Sequence, residues 1–191
     1  MNSVKNILLV GVGGQGTILA SKILSDGLIE AGYDVKMSEI HGMSQRGGSV
    51  STQIRFGEKV FSPIIGEGEA DILVSFEVME TARWIKFLKP GAKVVMNNYK
   101  IYSPEIQSGA FEYPTTTIED ISKAADVKVL NAYELAEELG NSKVMNIVLL
   151  GALIKGLNME DIDWASIIAK LVKPAFVDLN QKALKIGMEA M

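Results

Sequence analysis

The chain has 191 residues, 48% of them hydrophobic, with 19 basic and 23 acidic side chains for a formal net charge of −4. That balance leaves no basic face for general nucleic-acid binding. The lack of any cysteine excludes disulfides, thiolate nucleophiles and any iron–sulfur cluster ligated by cysteines of this chain, and a single histidine excludes a histidine-rich zinc or iron centre. The length suits one domain, residues 1–191, and the apolar content predicts surface that a partner subunit covers. The apolar start Ile7-Leu8-Leu9-Val10 runs straight into glycines, so it reads as a buried strand and not a signal peptide. Val144 to Ile154 is too short to span a membrane, and the expectation is a soluble cytoplasmic protein.

The pattern opens as strand, loop and helix. Val4 to Val10 is a continuous apolar run suited to a strand covered on both faces. Ile18, Leu19, Ile23, Leu24 and Leu28 line one face of a helix from Gln15 to Ala31, which Gly32 stops. Val35 to Ser38 is a second strand. Between Ser49 and Phe56, Val50, Thr52, Ile54 and Phe56 alternate with polar residues, as in a half-exposed strand. Gly57-Glu58 then predicts a turn back through Val60-Phe61, giving an antiparallel hairpin near 49–61. The βα rhythm returns with a strand at Ile72 to Phe76, a helix at Glu77 to Leu88, a break at Pro90-Gly91 and a strand at Val94 to Met96. Tyr99 to Pro114 lacks a period and reads as a surface excursion. Thr117 with Asp120 starts a helix, Val127 to Leu130 is a last strand, and the remainder is helical with a break near Pro174. This order predicts a three-layer α/β/α sandwich with a Rossmann-like start and a mixed sheet.

Two glycine-rich segments carry the functional signal. Gly11-Val12-Gly13-Gly14-Gln15-Gly16 has the spacing of a dinucleotide fingerprint in the expected strand–loop–helix context, with Glu39 about where a ribose-binding acid would stand. Glycines there give a tight turn and close backbone approach, and the helix start offers free N–H donors to an anion. The motif by itself leaves dinucleotide binding and simple helix–strand packing level. The second segment, His41-Gly42-Met43-Ser44-Gln45-Arg46-Gly47-Gly48, concentrates the only histidine and one of three arginines. Arg46 suits bidentate capture of a carboxylate or phosphate, with Ser44 and Gln45 as neutral donors and Gly47-Gly48 as a backbone nest.

The first loop, followed about one βαβ unit later by Glu39-Ile40-His41-Gly42-Met43-Ser44-Gln45-Arg46-Gly47-Gly48-Ser49-Val50, resembles the gamma-type subunit of 2-oxoacid:ferredoxin oxidoreductases. Met43-Ser44-Gln45 within the second loop points to the indolepyruvate branch of that family. Asp71 to Glu77, Leu88 to Ala92 and Val94-Val95 extend the likeness to about Asn97. The resemblance implies a share in the oxidative decarboxylation of a 2-oxoacid to an acyl-CoA with reduction of ferredoxin. This chain lacks cysteine and a thiamine-diphosphate signature, since Asn97-Asn98 has no preceding Gly-Asp-Gly. The resemblance therefore implies that thiamine diphosphate and the iron–sulfur clusters sit on a larger alpha subunit, through which ferredoxin is met. It also implies CoA as the co-substrate. The ligand-side residues it implies are Gly13, Gly14, Gln15, Gly16, Ser44, Gln45, Arg46, Gly47 and Gly48, and Gly11 and His41 are expected beside them on the CoA or substrate side. NAD is absent from the family, which decides against the dinucleotide reading. The alternatives are an independent NAD(P)- or flavin-binding oxidoreductase and a non-catalytic scaffold subunit.

Other residues read as structural. Glu77, at the end of a strand, is placed either to face a ligand or to cap the following helix. Trp84, Trp164 and the nine methionines suit packing, and Glu67, Glu69 and Asp71 suit a solvated turn. No serine–histidine–acid arrangement is present, so no catalytic residue or metal site is expected on this chain, and His41 is expected to fix its loop by hydrogen bonds.

Overall fold

The apolar run at the start of the chain becomes the centre of a six-stranded sheet. In the computed structural model, which describes residues 4–41, 47–114 and 117–191, β1 (Lys5–Val12) has Ile7, Leu8, Leu9 and Val10 at 0 to 1% exposure. The chain continues through α1 (Thr17–Glu30), β2 (Asp34–His41), β3 (Ser49–Gly57), β4 (Ala70–Ser75), α2 (Val78–Trp84) and β5 (Leu88–Asn97). There follow α3 (Pro104–Gln107), α4 (Thr117–Ala124), β6 (Asp126–Leu130), α5 (Ala132–Glu138), α6 (Met145–Leu157), α7 (Trp164–Leu171) and α8 (Val177–Glu189). The strand order is β2-β3-β1-β4-β5-β6. β1, β4, β5 and β6 run parallel, and β3 is antiparallel to both β1 and β2.

Helices cover both faces, as the mixed α/β/α expectation requires. On one face Ile7, Leu9, Ile54, Phe56, Val74 and Val95 meet α1 and the C-terminal helices. α6 is apolar all round and buried from Met145 to Ile154, because it lies between the sheet and α8. On the other face Leu8, Val10, Leu73, Val94 and Met96 meet Val78 of α2 and Ile121 of α4. No described helix is long and apolar enough to cross a membrane.

Three expectations need correction. The hairpin partner of β3 is β2, with Asp34 opposite Gly57 and His41 opposite Val50, and Val60-Phe61 form no strand. Residues 58–69 are drawn instead across the polar face of β3. Gln53 Oε1 accepts from the Ile65 N–H at 2.6 Å, and Arg55 donates to the Ser62 and Ile64 carbonyls at 3.1 Å. For the same reason β3 is buried and not half-exposed: its alternation is real, but both faces are covered and Gln53 is 5% exposed. Pro90-Gly91 does not break the chain ahead of β5 but lies inside it, where the pairing with β4 shifts register between Ala70 and Ile72.

Candidate functional site

The two glycine segments meet at the carboxyl end of β1. The Gly13 N–H donates to the Gly48 carbonyl at 2.8 Å, and the Gly47 N–H donates to the Gly13 carbonyl at 3.3 Å, so the β1–β3 ladder runs on into both loops. Because β2 pairs with β3, with His41 opposite Val50, the chain enters and leaves the second segment at the same end of the hairpin. Ser44, Gln45 and Arg46, with Gly42 and Met43, lie outside the described residues. The chain on either side of them, at His41 and Gly47, stands beside the first loop.

The first loop is a structural device and a cleft wall at once. Gln15 closes the crevice between the ends of β1 and β4: its Oε1 accepts from the Val12 N–H at 2.8 Å and its Nε2 donates to the Phe76 carbonyl at 2.9 Å. A Cβ on Gly11 would lie 2.9 Å from Phe76 Cβ, and one on Gly16 would lie 2.6 Å from Asn146 Nδ2, which donates to the Gly16 carbonyl at 3.0 Å. Gly11, Gln15 and Gly16 thus have close protein neighbours that explain them. Gly14 does not: its φ is +103° and a Cβ there would meet nothing within 4 Å.

Beside Gly14 is a cleft of about 410 Å³, within the range of small-molecule sites. Gly13, Gly14, Gly16, Thr17 and Ile18 form one wall, and Glu39 to His41 with Val50 to Thr52 form the other. Gly16 caps α1 without a side-chain hydrogen bond, so the first-turn N–H groups of α1 carry no side-chain cap at this wall. Glu39 Oε1 accepts from the Ser21 hydroxyl of α1 at 2.9 Å. The His41 ring is exposed at the cleft, and the loop it was expected to fix lies outside the described residues. Ile18 and Ile40, 55% and 52% exposed, stand apolar on opposite walls.

This geometry departs from a dinucleotide site. β3 is inserted between β1 and β2, which sets Glu39 two strand spacings, about 9–10 Å, from β1. The helices after β1 and β4 lie on opposite faces, and Gln15 fills the crevice that this reversal opens.

Two buried carboxylates stand behind the loops, and sequence reasoning weighed only the first of them. Glu77, 1% exposed, caps α2: its Oε2 accepts from the Glu80 N–H at 3.0 Å, while Oε1 accepts from the Ile101 N–H at 3.1 Å and the Tyr113 hydroxyl at 2.7 Å. It caps the helix and anchors the 99–114 excursion. Burial, together with Glu77, raises the Tyr113 phenol far above its ordinary value. Glu80, 2% exposed, accepts from the Ser49 hydroxyl at 2.5 Å and pairs with Arg83 at 2.7 Å. Burial holds its carboxyl above the usual range against the opposing pull of Ser49 and Arg83. The available signal for it was a second acid three residues after the cap. Glu67 and Glu69 serve the turn as read, Glu69 accepting from the Gly66 N–H and Glu67 pairing with Lys86. Asp71 instead lies in β4 with a side chain only 11% exposed, accepting from the Asn6 N–H at 2.8 Å and pairing with Lys5 and Lys89.

Residues 6–190 match the family described as pyruvate ferredoxin/flavodoxin oxidoreductase. This chain belongs to that family. The resemblance carried by the two glycine segments is thereby borne out. Among its relatives, a protein of Thermococcus kodakarensis named indolepyruvate oxidoreductase subunit IorB is 37% identical over 97% of this chain and 95% of its own. The IorB protein of Archaeoglobus fulgidus is 39% identical over 95% and 92%. The keto/oxoacid ferredoxin oxidoreductase gamma subunit of Geobacter sulfurreducens shares the fold, with a TM-score of 0.72 at 23% identity over 97% of both chains. The 2-oxoglutarate:ferredoxin oxidoreductase of Magnetococcus marinus matches all of this chain with 31% of its own at a TM-score of 0.75 and 18% identity, so the same fold occurs there as part of a longer polypeptide.

Proposed function

We propose that this family member is the smaller subunit of an indolepyruvate-type 2-oxoacid:ferredoxin oxidoreductase, joined to a larger subunit that carries thiamine diphosphate and iron–sulfur clusters. The observation that carries the reading is near-full-length identity of 37% and 39% to relatives named IorB. The thiamine cofactor supplies the carbanion chemistry and the clusters take the electrons, both on the partner. This chain's part is to bind and orient. The backbone at Gly13 and Gly14 lets a ligand approach closely, the start of α1 offers N–H groups to an anionic portion, and Arg46 is the residue type in the second glycine segment suited to a bidentate grip on it. CoA, with its phosphates, suits that donor set, and Ile18 and Ile40 suit its apolar arm or the partner's surface. The exposed Phe61, at 89%, further supports a covering subunit. The reading places the chain in the cytoplasm with its redox partner ferredoxin.

The test uses the two-subunit complex purified anaerobically. Arg46→Ala is expected to raise the KM for CoA about tenfold, the loss of roughly 1.4 kcal/mol for one charged contact, with the complex intact by gel filtration. Loss of assembly with unchanged KM in the residual complex would make the loop a subunit contact and overturn the CoA assignment.

A further inference from the structure

Thr52 lies on the floor of the cleft. It stands in β3 between Leu9 of β1 and Glu39 of β2, on the face of the sheet that α1 covers. It is 3% exposed, and Leu9 and Ile54 beside it on that face are core residues. Its hydroxyl makes no hydrogen bond to a described residue. Yet it is not sealed in: among the described residues, the one fully enclosed side-chain polar atom without a partner is Ser51 Oγ, on the opposite face with Ser49 and Gln53. The Thr52 hydroxyl therefore opens on the cleft. Thr17, at the start of α1 and 6% exposed, presents a second unpartnered hydroxyl, because its methyl group is the part turned to Gly11.

Stability does not explain the Thr52 hydroxyl. Valine has the same shape and suits a strand, whereas a buried hydroxyl without a partner costs about 1–3 kcal/mol. Glu39 stands directly opposite Thr52; its Oε1 accepts from Ser21 and its Oε2 from no described residue. At the other wall are the first-turn N–H groups of α1, with no side-chain cap and no acidic residue in that turn. The cleft thus holds donors for an anion at one wall and a carboxylate beside a hydroxyl at the other.

A phosphate fits the first wall. A hydroxyl fits the second, since it can donate to Glu39 and accept from Thr52 at once; an ammonium only donates. A ribose phosphate carries both groups close together. The pantoyl hydroxyl of a pantetheine arm is crowded between a dimethyl carbon and a carbonyl. At about 410 Å³ the cleft is at the small end of ligand sites, so it takes one end of a long ligand.

We infer that this cleft is a ribose phosphate site that seats the nucleotide end of CoA, with phosphate at the start of α1 and Thr17 and the free ribose 2′-hydroxyl between Glu39 and Thr52. The inference rests on the reading that CoA is the ligand of this chain.

The test is titration calorimetry on the two-subunit complex purified anaerobically, with adenosine 3′,5′-bisphosphate, its 2′-deoxy analogue and 4′-phosphopantetheine as probes, beside the KM for CoA. Adenosine 3′,5′-bisphosphate is expected to bind in competition with CoA, and the 2′-deoxy probe to bind about tenfold more weakly. Thr52→Val and Glu39→Gln should each weaken the ribose probe about tenfold, erase its advantage over the deoxy probe and raise the KM for CoA. Thr52→Val should also melt no lower than the parent, which a hydroxyl needed by the fold would not allow. Equal affinity of the parent for the two nucleotide probes, or tighter binding of 4′-phosphopantetheine, overturns the inference. So does a lower melting temperature of Thr52→Val with unchanged affinity. Nucleotide that binds without displacing CoA would give the cleft to a free nucleotide and overturn its assignment to CoA. If Arg46→Ala raises the KM for CoA and the Thr52 and Glu39 variants do not, this inference alone fails. If none of the three moves it, the CoA reading fails as well.

Discussion

At the scale of single residues, the glycines divide into those that admit protein and those that face open space. A Cβ on Gly187 would lie 1.9 Å from the Val148 carbonyl oxygen, and one on Gly151 would lie 2.1 Å from that of Leu184. These two let α6 and α8 approach backbone to backbone, and neither obstacle is a side chain that could swing away. Gly187→Ala is expected to cost about 3 kcal/mol or more in denaturant unfolding, the upper end for overpacking. Gly14→Ala meets no atom and should cost only the backbone strain of a positive φ, about 1–3 kcal/mol. Equal losses at the two positions would contradict this division. The first loop shows the same split: Gly11 and Gly16 serve packing, whereas Gly14 opens onto the cleft.

At the scale of elements, the Gln15 side chain adds to the backbone bond from the Phe76 N–H to the Val10 carbonyl in holding the carboxyl ends of β1 and β4 together. Gln15→Ala would leave the Val12 N–H without its partner and the Phe76 carbonyl with only the longer bond from Asn97 Nδ2 at 3.3 Å, an expected loss of about 1–3 kcal/mol. Amide exchange at Val12 should speed up far more than at Leu9 deeper in the strand, and uniform acceleration along β1 would refute a local clamp. The strand and helix order was readable because apolar runs and helical spacing are local properties of the chain. Pairing was not. The sequence suggested that β3 turns back on Val60-Phe61, since a turn signal stands at Gly57-Glu58. Gln53 and Arg55 decided otherwise: they capture backbone groups of Ile65, Ser62 and Ile64 and lay residues 58–69 across β3. Such captures join residues that no short pattern relates.

At the scale of the whole molecule, burial of Glu80 couples stability to pH. Its folded-state pKa is raised, chiefly by burial, so the folded protein holds this proton more tightly than the unfolded chain does. The resulting contribution is full below the unfolded value and is lost as pH rises through the folded one. Glu80→Gln cannot titrate and should gain stability relative to the parent as pH rises above the ordinary glutamate value, followed by thermal unfolding over a pH series. Parallel curves for the two proteins would show that the carboxylate costs nothing. The cleft also belongs to this scale, because its two walls come from α1 with the first loop and from the β2–β3 hairpin.

The sequence by itself determined the α/β class, a buried first strand, the glycine-rich loop that follows it and, through the two glycine segments together, the family. Those features follow from local chemistry: glycines without side chains, apolar periodicity, and residue types confined to short stretches. Only the tertiary structure decided that β3 is inserted between β1 and β2 and that the two loops bond through Gly13, Gly47 and Gly48. Likewise, only the fold turned Gln15 into a clamp and set Glu80 behind Ser49. Each of these joins residues far apart along the chain. The hydrogen bond that decides each of them exists only once the burial of two separate faces has brought its donor and acceptor together.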